Sequence, residues 1–497
     1  IFQECERIWE KSDLLRACTV QKPTYQSDNC FIKFKPANGY ASSTITAIPL
    51  SDGCLSKALV LTNDRISYIE DFLPSGYLEQ TEYPLLGQVK GEDKFSDVSY
   101  VWSNGFGKTL KITTRCGYSV EGTQNHPIRV FRNGEITWVR LDGVLDTDLL
   151  PIDRRMAWHQ GTSNITEEDA YMAGLITGDG CITNKYKIRM ATASSEIAAT
   201  FSSYFQNTYG KSPSRTDKYH LDVNGIKIRQ DFMNRLGIFF VRTNEKRFPK
   251  EIFKSEKHKV ASFIRGLFDT DGGFYCGKKD GYRSGTVGFF NTSKILIDQL
   301  QSILLLFGIV SFVIAKKDRS EKWEVCYNLY ITGPDVEVFY KQIGFGISEK
   351  QNKLEKFVTS KNRSYSVRDM LPNSVSSKVL DLLDTFPSIK ERSIGLRRQH
   401  LPKGISYSKL SAFVNECARL EIKDKRLDYL TDLLDRGYFY DSLVSIEFSS
   451  AETFDLYVPE DHTFWANGFI SHNSKIRGSR FYTIACDEFP HIPEEVF

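Results

Sequence analysis

Met172-Ala173-Gly174-Leu175-Ile176-Thr177-Gly178-Asp179-Gly180 and Ile264-Arg265-Gly266-Leu267-Phe268-Asp269-Thr270-Asp271-Gly272 are two versions of one phrase. Each is apolar over a helical length and ends in Asp-Gly, a helix stop. Small residues at Ala173, Gly174 and Gly266 let two helix backbones approach closely, which would bring the carboxylates of Asp179 and Asp271 together. Two acids at one seam repel unless a divalent cation lies between them, and such a cation activates water in phosphodiester hydrolysis.

The sequence after each phrase repeats as well. After Gly180 come strand material at 188–192, then Ser194-Ser195-Glu196-Ile197, a helix to Gly210 and another to Leu236-Gly237-Ile238. After Gly272 come 286–290, then Thr292-Ser293-Lys294-Ile295, a helix to Phe307-Gly308-Ile309, strands to Ile331 and a helix to Ile343-Gly344-Phe345. The block 166–357 carries 29 Lys plus Arg against 22 Asp plus Glu, whereas the whole chain nets only +3, so the positive charge is concentrated here.

On these residues the block resembles the LAGLIDADG homing endonucleases. The resemblance implies two pseudo-symmetric α/β repeats whose sheets lie in the DNA major groove. It further implies double-stranded DNA as partner, and Asp179 and Asp271 as catalytic residues and ligands of Mg²⁺. Lys246, shortly before Phe248-Pro249, is an active-site lysine by the same resemblance. Thr177 and Arg265 depart from the family pattern, and two other readings stay open: core helices whose acids merely cap turns, or an endonuclease that no longer cuts.

A second constellation brackets the block. Between 54 and 152 the pattern is short β (58–61, 65–69, 99–101, 109–113, 128–131), and β resumes at 443–448 and 453–458. Cys54 opens this module, Gly122-Thr123-Gln124-Asn125-His126-Pro127 comes next, and Asp455, His462 and His472-Asn473-Ser474 close it. Together these supply what an acyl-transfer cascade needs: a thiol directly after the Gly53 carbonyl, polar groups to protonate a leaving nitrogen, a second nucleophile and a side-chain amide. The set resembles the intein splicing domain of the Hedgehog/intein fold. The resemblance implies that Cys54 forms a thioester with Gly53, aided by Thr123 and His126, and that Ser474 attacks it. Asp455 and His462 act as helpers, and Asn473 cyclises with His472 as proton donor. Residues 54–473 would leave, joining Gly53 to Ser474, with no cofactor for splicing. A Hedgehog-like module that cleaves without ligating is the alternative, disfavoured by the His472-Asn473-Ser474 ending.

The flanks read as pieces of a host protein. The apolar run 481–486 followed by Asp487-Glu488 is similar to a Walker B strand, and the joined flanks resemble the ATPase domain of a phage large terminase subunit. ATP turnover by these flanks is a third functional reading, disfavoured because no GxxxxGK[ST] is present; in Gly105-Phe106-Gly107-Lys108-Thr109 the required first glycine position is Trp102, and a β hairpin is expected there.

Composition limits the other classes. A 41% hydrophobic share with 26% charged residues and no low-complexity tract excludes a disordered, collagenous or coiled-coil chain. With no apolar run of membrane-spanning length and no signal-peptide pattern, the expectation is a cytoplasmic monomer without a membrane partner. The ten cysteines show no CxxC or paired Cys/His spacing, so neither a zinc module nor a disulfide framework is expected. The chain opens without Met and reads as a fragment of a longer frame.

The fold expected is therefore multidomain: an all-β Hedgehog/intein splicing domain interrupted by an α/β LAGLIDADG endonuclease, with flanking fragments of an α/β ATPase. The divisions are 1–53 (N-terminal host fragment), 54–153 and 437–473 (splicing domain), 154–357 (endonuclease), 358–436 (a helical, partly basic spacer or accessory DNA-binding segment, Lys390, Arg392, Arg397 and Arg398 among its bases) and 474–497 (C-terminal host fragment).

Overall fold

The computed structural model describes residues 9–22, 24–26, 29–33, 35, 44–47, 54–182, 186–238, 241–279, 282–316, 325–360, 370–389 and 395–473. The chain divides into two compact units, one made of 1–52 with 474–497 and the other of 53–473. In the smaller unit the described residues form a helix, Asp13–Cys18, and an antiparallel sheet of Thr24–Gln26, Asn29–Lys33 and Thr44–Ala47. Ser474 and the Walker B-like 481–488 lie outside the described residues.

In the larger unit the two Asp-Gly phrases end the helices Glu167–Asp179 and Lys257–Asp271. The first begins at a capping box: the Thr166 hydroxyl accepts from Asp169 N and the Asp169 carboxylate accepts from Thr166 N. The helices touch backbone to backbone. A Cβ on Gly266 would lie 2.5 Å from the Tyr171 carbonyl oxygen, and one on Gly174 would overlap the Phe263 carbonyl oxygen. Glycine is required at both positions by close approach, since the obstacle is backbone.

Each helix leads into a four-stranded antiparallel sheet. One contains Gly180–Ile182, Lys187–Ala191, Ser214–Arg215 and His220–Asn224; the other contains Gly272–Lys279, Tyr282–Asn291, Ser311–Lys316 and Cys326–Thr332. In both, the spatial order is first, second, fourth, third. The recurring Ser/Thr phrases are helix starts: Ser194 caps Ser195–Tyr209 by accepting from Ile197 N, and Ser293 caps Lys294–Leu306 by accepting from Leu296 N.

The β module is a single 11-stranded sheet built from both ends of the larger unit. Its spine is a pair of 20-residue strands, Phe95–Thr114 and Tyr438–Tyr457, paired from Leu443 opposite Thr114 to Tyr457 opposite Tyr100 with register shifts at 443/445 and 453/454. The segment 105–109, expected at a hairpin, lies instead inside the first of these strands, with Gly107 opposite Ala451 and Lys108 opposite Ser450. Gly105 takes φ +87° beside a register shift at 453/454, so the strand bends without ending. Strand Pro127–Arg132 pairs Ile128 with Ser471 and also carries the hairpin strand Glu135–Arg140.

Residues 373–436 contribute the helices Asn373–Thr385, Tyr407–Arg419 and Lys425–Arg436, anchored to the sheet where the Tyr429 hydroxyl donates to the Gly134 carbonyl at 2.6 Å. Of the bases in this segment, Lys390 and Arg392 lie outside the described residues, and Arg398 is paired with Asp384. No helix among the described residues is long and apolar enough to cross a membrane.

Candidate functional site

Cys54 is fully buried, and Leu55 after it bridges Gly122 on one side and Phe454 on the other. The Cys54 N–H donates to the Thr123 hydroxyl at 3.0 Å, and Thr123 N–H donates back to the Cys54 carbonyl at 2.8 Å. The amide that would be cut is thus held by the predicted threonine. His126 closes the same turn, its N–H donating to the Thr123 carbonyl at 2.9 Å, and its side chain is buried. Burial pushes the Cys54 thiol well above its ordinary value, and the neighbouring Asp455 carboxylate pushes it further the same way. Asp455, buried on the spine strand opposite Trp102, therefore belongs electrostatically to the Cys54 group.

At the other junction, Phe469–His472 pairs with Thr463–Ala466, bringing His472 opposite Thr463 and next to His462. The two imidazoles stack at 5.8 Å with planes 16° apart. His472 Nδ1 lies 2.5 Å from the Asn473 carbonyl oxygen, so this ring engages the carbonyl that cyclisation would attack. His462 contributes a backbone function that its side chain did not announce. Held at φ +54°, it offers its carbonyl to Asn473 N–H at 2.9 Å; with the Asn473 side-chain amide turned so that both its ends find partners, that carbonyl also accepts from Nδ2 at 2.8 Å and Oδ1 accepts from Val458 N at 2.9 Å. Asn473 is buried. The structure gathers Cys54, Thr123, His126 and Asp455 into one group and His462, His472 and Asn473 into another, linked through the strand Pro127–Arg132.

The helix seam gathers Asp179 and Asp271. Burial raises both carboxyls, and the charge of Asp179 helps to push Asp271 up to about 6. Lys246 donates to the Gly178 carbonyl, and Lys350 donates to the Asp269 and Gly272 carbonyls at 2.6 Å each, so one ammonium caps the end of each helix. Burial lowers both lysines while the acids hold them up. Lys350 was missed in the sequence because it lies 79 residues beyond Asp271, with no motif around it. The departures from the family pattern have structural uses: Thr177 donates to the Ala173 carbonyl at 2.7 Å, and Arg265 donates to the Ile343 carbonyl at 2.9 Å. Asp269 is structural, accepting from the Tyr171 hydroxyl and from Gly346 and Ile347 N–H. The donor set fits a divalent cation: an exposed Asp179 and a half-buried Asp271, the first raising the proton affinity of the second, would be relieved by one. Among the described residues no group of three or more His, Cys, Asp or Glu side chains could hold a metal, so further ligands would be water or substrate oxygens.

Several known proteins share parts of this chain. The family described as LAGLIDADG-like domain matches residues 258–344. The chain is 26% identical over 400 residues to the replicative DNA helicase DnaB of Nostoc sp., covering 76% of this chain and 44% of that protein. It is 24% identical over 428 residues to a DNA gyrase subunit of Mycobacterium gordonae, covering 82% and 74%. The chain spans less than half the length of the DnaB relatives it matches. Among solved structures it is similar to I-DmoI in complex with DNA and Mn (19% identity, TM-score 0.25, 36% of this chain and 96% of that one). It is also similar to a DnaB intein from Synechocystis sp. PCC 6803 (20% identity, TM-score 0.15, 20% and 70%).

Proposed function

We propose that this chain splices itself, releasing residues 54–473 and joining Gly53 to Ser474, and that the inserted block cuts double-stranded DNA at the uninterrupted host gene. The observation that carries the splicing reading is that both peptide groups to be cut are engaged by the assigned side chains: Cys54 N–H by Thr123, and the Asn473 carbonyl by His472. The Cys54 sulfur attacks the Gly53 carbonyl carbon, the C–N bond breaks, and the departing nitrogen takes a proton from the Thr123–His126 turn. Ser474 Oγ attacks the thioester, and Cys54 leaves as its thiol. Asn473 Nδ2 then attacks its own carbonyl carbon and closes a ring as the C–N bond to Ser474 breaks; Nδ2 loses a proton and the departing nitrogen gains one, with His472 as donor, and the freed Ser474 amine takes the Gly53 acyl group from Oγ, turning the ester into a peptide bond. His472, beside that carbonyl oxygen, stabilises the charge developing on it. For this step Asn473 Nδ2 must leave the His462 carbonyl, so the described arrangement is a resting one.

Two further findings support the reading. The division of the chain falls at 52/53 and 473/474, within a residue of both junctions. The matched relatives also carry unrelated names, among them a helicase, a gyrase subunit and an aminotransferase, which suits a module inserted into different hosts.

For the DNA reaction, Asp179 and Asp271, one from each repeat, would hold a divalent cation such as Mg²⁺, which when bound activates water and offsets phosphate charge. Lys246 and Lys350 fix the helix ends that carry the two acids and place positive charge beside the scissile phosphate. A splicing-only chain with a silent endonuclease is the second reading, supported by the Thr177 and Arg265 departures. The short resemblance of the flanks supports a terminase as host, and the setting proposed is a monomer in the cytoplasm. Intact-mass spectrometry tests the splicing reading. The chain yields a joined 1–53/474–497 product; Cys54→Ala abolishes it, and Asn473→Ala leaves the 473/474 bond intact while added thiol releases the N-terminal segment. Joined product from Cys54→Ala would sink the assignment.

A further inference from the structure

His472 does not stand against His462 alone. The register of the sheet puts Ser471 opposite Ile128 and Arg129 opposite Trp138, so Arg129, Trp138 and His472 fall on one face across three adjoining strands. Trp138 meets His472 edge to face, with ring centres 5.1 Å apart and planes at 89°. The Arg129 guanidinium lies over the Trp138 ring at 4.2 Å. Arg129 is itself fixed by Glu92 at 2.6 Å, and Glu92 accepts from the Tyr438 hydroxyl at 2.7 Å while its N–H donates to the Thr463 hydroxyl at 3.1 Å. Thr463 is the residue opposite His472, so the chain of contacts returns to the strand pair it started from.

We propose that Trp138 is a positioning residue for cleavage at Asn473. With His462 stacked against the imidazole and the indole closing a second side, His472 is confined to the rotamer that aims Nδ1 at the Asn473 carbonyl. The indole is confined in turn: Arg129 presses on its face, and Glu92 sets where Arg129 can lie. An edge-to-face contact is attractive enough to bias a rotamer but not to hold up a fold. Trp138 is only half-buried, in keeping with a local task. Among the described residues its ring meets His472 and Arg129, which places its influence at the C-terminal junction rather than at Cys54.

The proposal rests on the splicing reading, and two parent variants of the full chain separate the two. In Cys54→Ala, release of residues 474–497 measures Asn473 cyclisation alone; in Asn473→Ala, thiol-induced release of residues 1–53 measures the N-terminal step alone. If neither parent releases its fragment, the splicing reading fails, and this inference with it. If both do, Trp138→Ala should slow C-terminal release by about tenfold or more, the scale at which a misplaced catalytic group is felt, and leave thiol-induced N-terminal release at the parental rate. Trp138→Phe, which keeps an aromatic wall, should recover most of the C-terminal rate. Parental C-terminal release in Trp138→Ala, equal loss at both junctions, or no recovery in Trp138→Phe would each overturn the assignment.

Discussion

Asp271 is the residue whose ionisation says most about the inserted block. Its carboxyl is pushed up to about 6 by burial and by Asp179, with Lys246 and Lys350 tempering the rise. A carboxyl raised in the folded state binds its proton more tightly there than in the unfolded chain. The stability it contributes is present below the unfolded value and is lost as pH rises through about 6. The acid pair therefore costs stability at neutral pH. Asp179→Asn with Asp271→Asn should raise the urea midpoint at pH 7, with the gain vanishing in acid where the native carboxyls are protonated. The same variant should lose Mg²⁺-dependent cutting of the host gene joined across the codons for Gly53 and Ser474, while splicing continues. Native cutting should decline in acid, at a pH that falls as Mg²⁺ is raised, because proton and cation compete for these carboxyls. Undiminished cutting by the double variant would show that these carboxylates are not the metal site. At this scale the proposed nucleophiles and acids stand out in the sequence because each has a side chain suited to one step and their order resembles that of a known family. The features that escaped the sequence are carried by backbone or by distant packing: the His462 carbonyl on Asn473, Lys350 at the second helix end, and Trp138 against His472.

Among elements, the helix seam was readable in advance and the long strands were not, for the same physical reason. A seam between backbones demands small residues at fixed places, so Gly174 and Gly266 advertise it. The strands Phe95–Thr114 and Tyr438–Tyr457 are half exposed and interrupted by glycine, serine and threonine, so their alternation is weak and only short fragments stand out. The pairing that makes them long is with each other, across the whole inserted block. The seam makes a direct prediction. In Gly266→Ala the new methyl would lie 2.5 Å from the Tyr171 carbonyl oxygen, and in Gly174→Ala it would overlap the Phe263 carbonyl. Neither obstacle is a flexible side-chain end, so the helices must part. Each substitution should cost about 1–3 kcal/mol or more, read as a lower urea midpoint. Each should also reduce DNA cutting more than it reduces DNA binding, because the acids at the helix ends move apart while the sheets remain. A Gly266→Ala chain as stable and as active as the native one would mean that the two backbones are not in contact.

Across the larger unit, the chain order suggests two chemistries that could be separated, since every splicing residue lies outside 166–357. The packing ties them together. Tyr118, fully buried just before the strand Ser119–Gly122 of the 11-stranded sheet, has its hydroxyl accepting from Ser311 N–H at 3.1 Å. Val313 N–H and the Gln301 side chain both donate to the Cys116 carbonyl, each at 2.9 Å, and Gln299 donates to the Tyr68 hydroxyl at 2.9 Å. Gly468, at the tip of the hairpin carrying His472 and Asn473, rests so close to Leu305 that a Cβ there would lie 2.5 Å from Leu305 Cδ1. The helix Lys294–Leu306 of the inserted block is thus a floor for the hairpin Thr463–His472. Replacing 166–357 by a flexible linker would uncover Tyr118 and leave the hairpin tip unsupported. That variant should lose soluble yield, and C-terminal release in its Cys54→Ala form should fall further than thiol-induced N-terminal release in its Asn473→Ala form. Tyr118→Ser within the shortened chain should recover solubility, by removing an exposed ring, without restoring the C-terminal rate. The Asp179→Asn, Asp271→Asn chain is the control, because it silences the nuclease and keeps the floor. A shortened chain that splices at the full rate would show that the contact is adjacency alone; slowed C-terminal release in it, beside normal splicing in the control, would show that the block supports splicing as a scaffold and not through its chemistry.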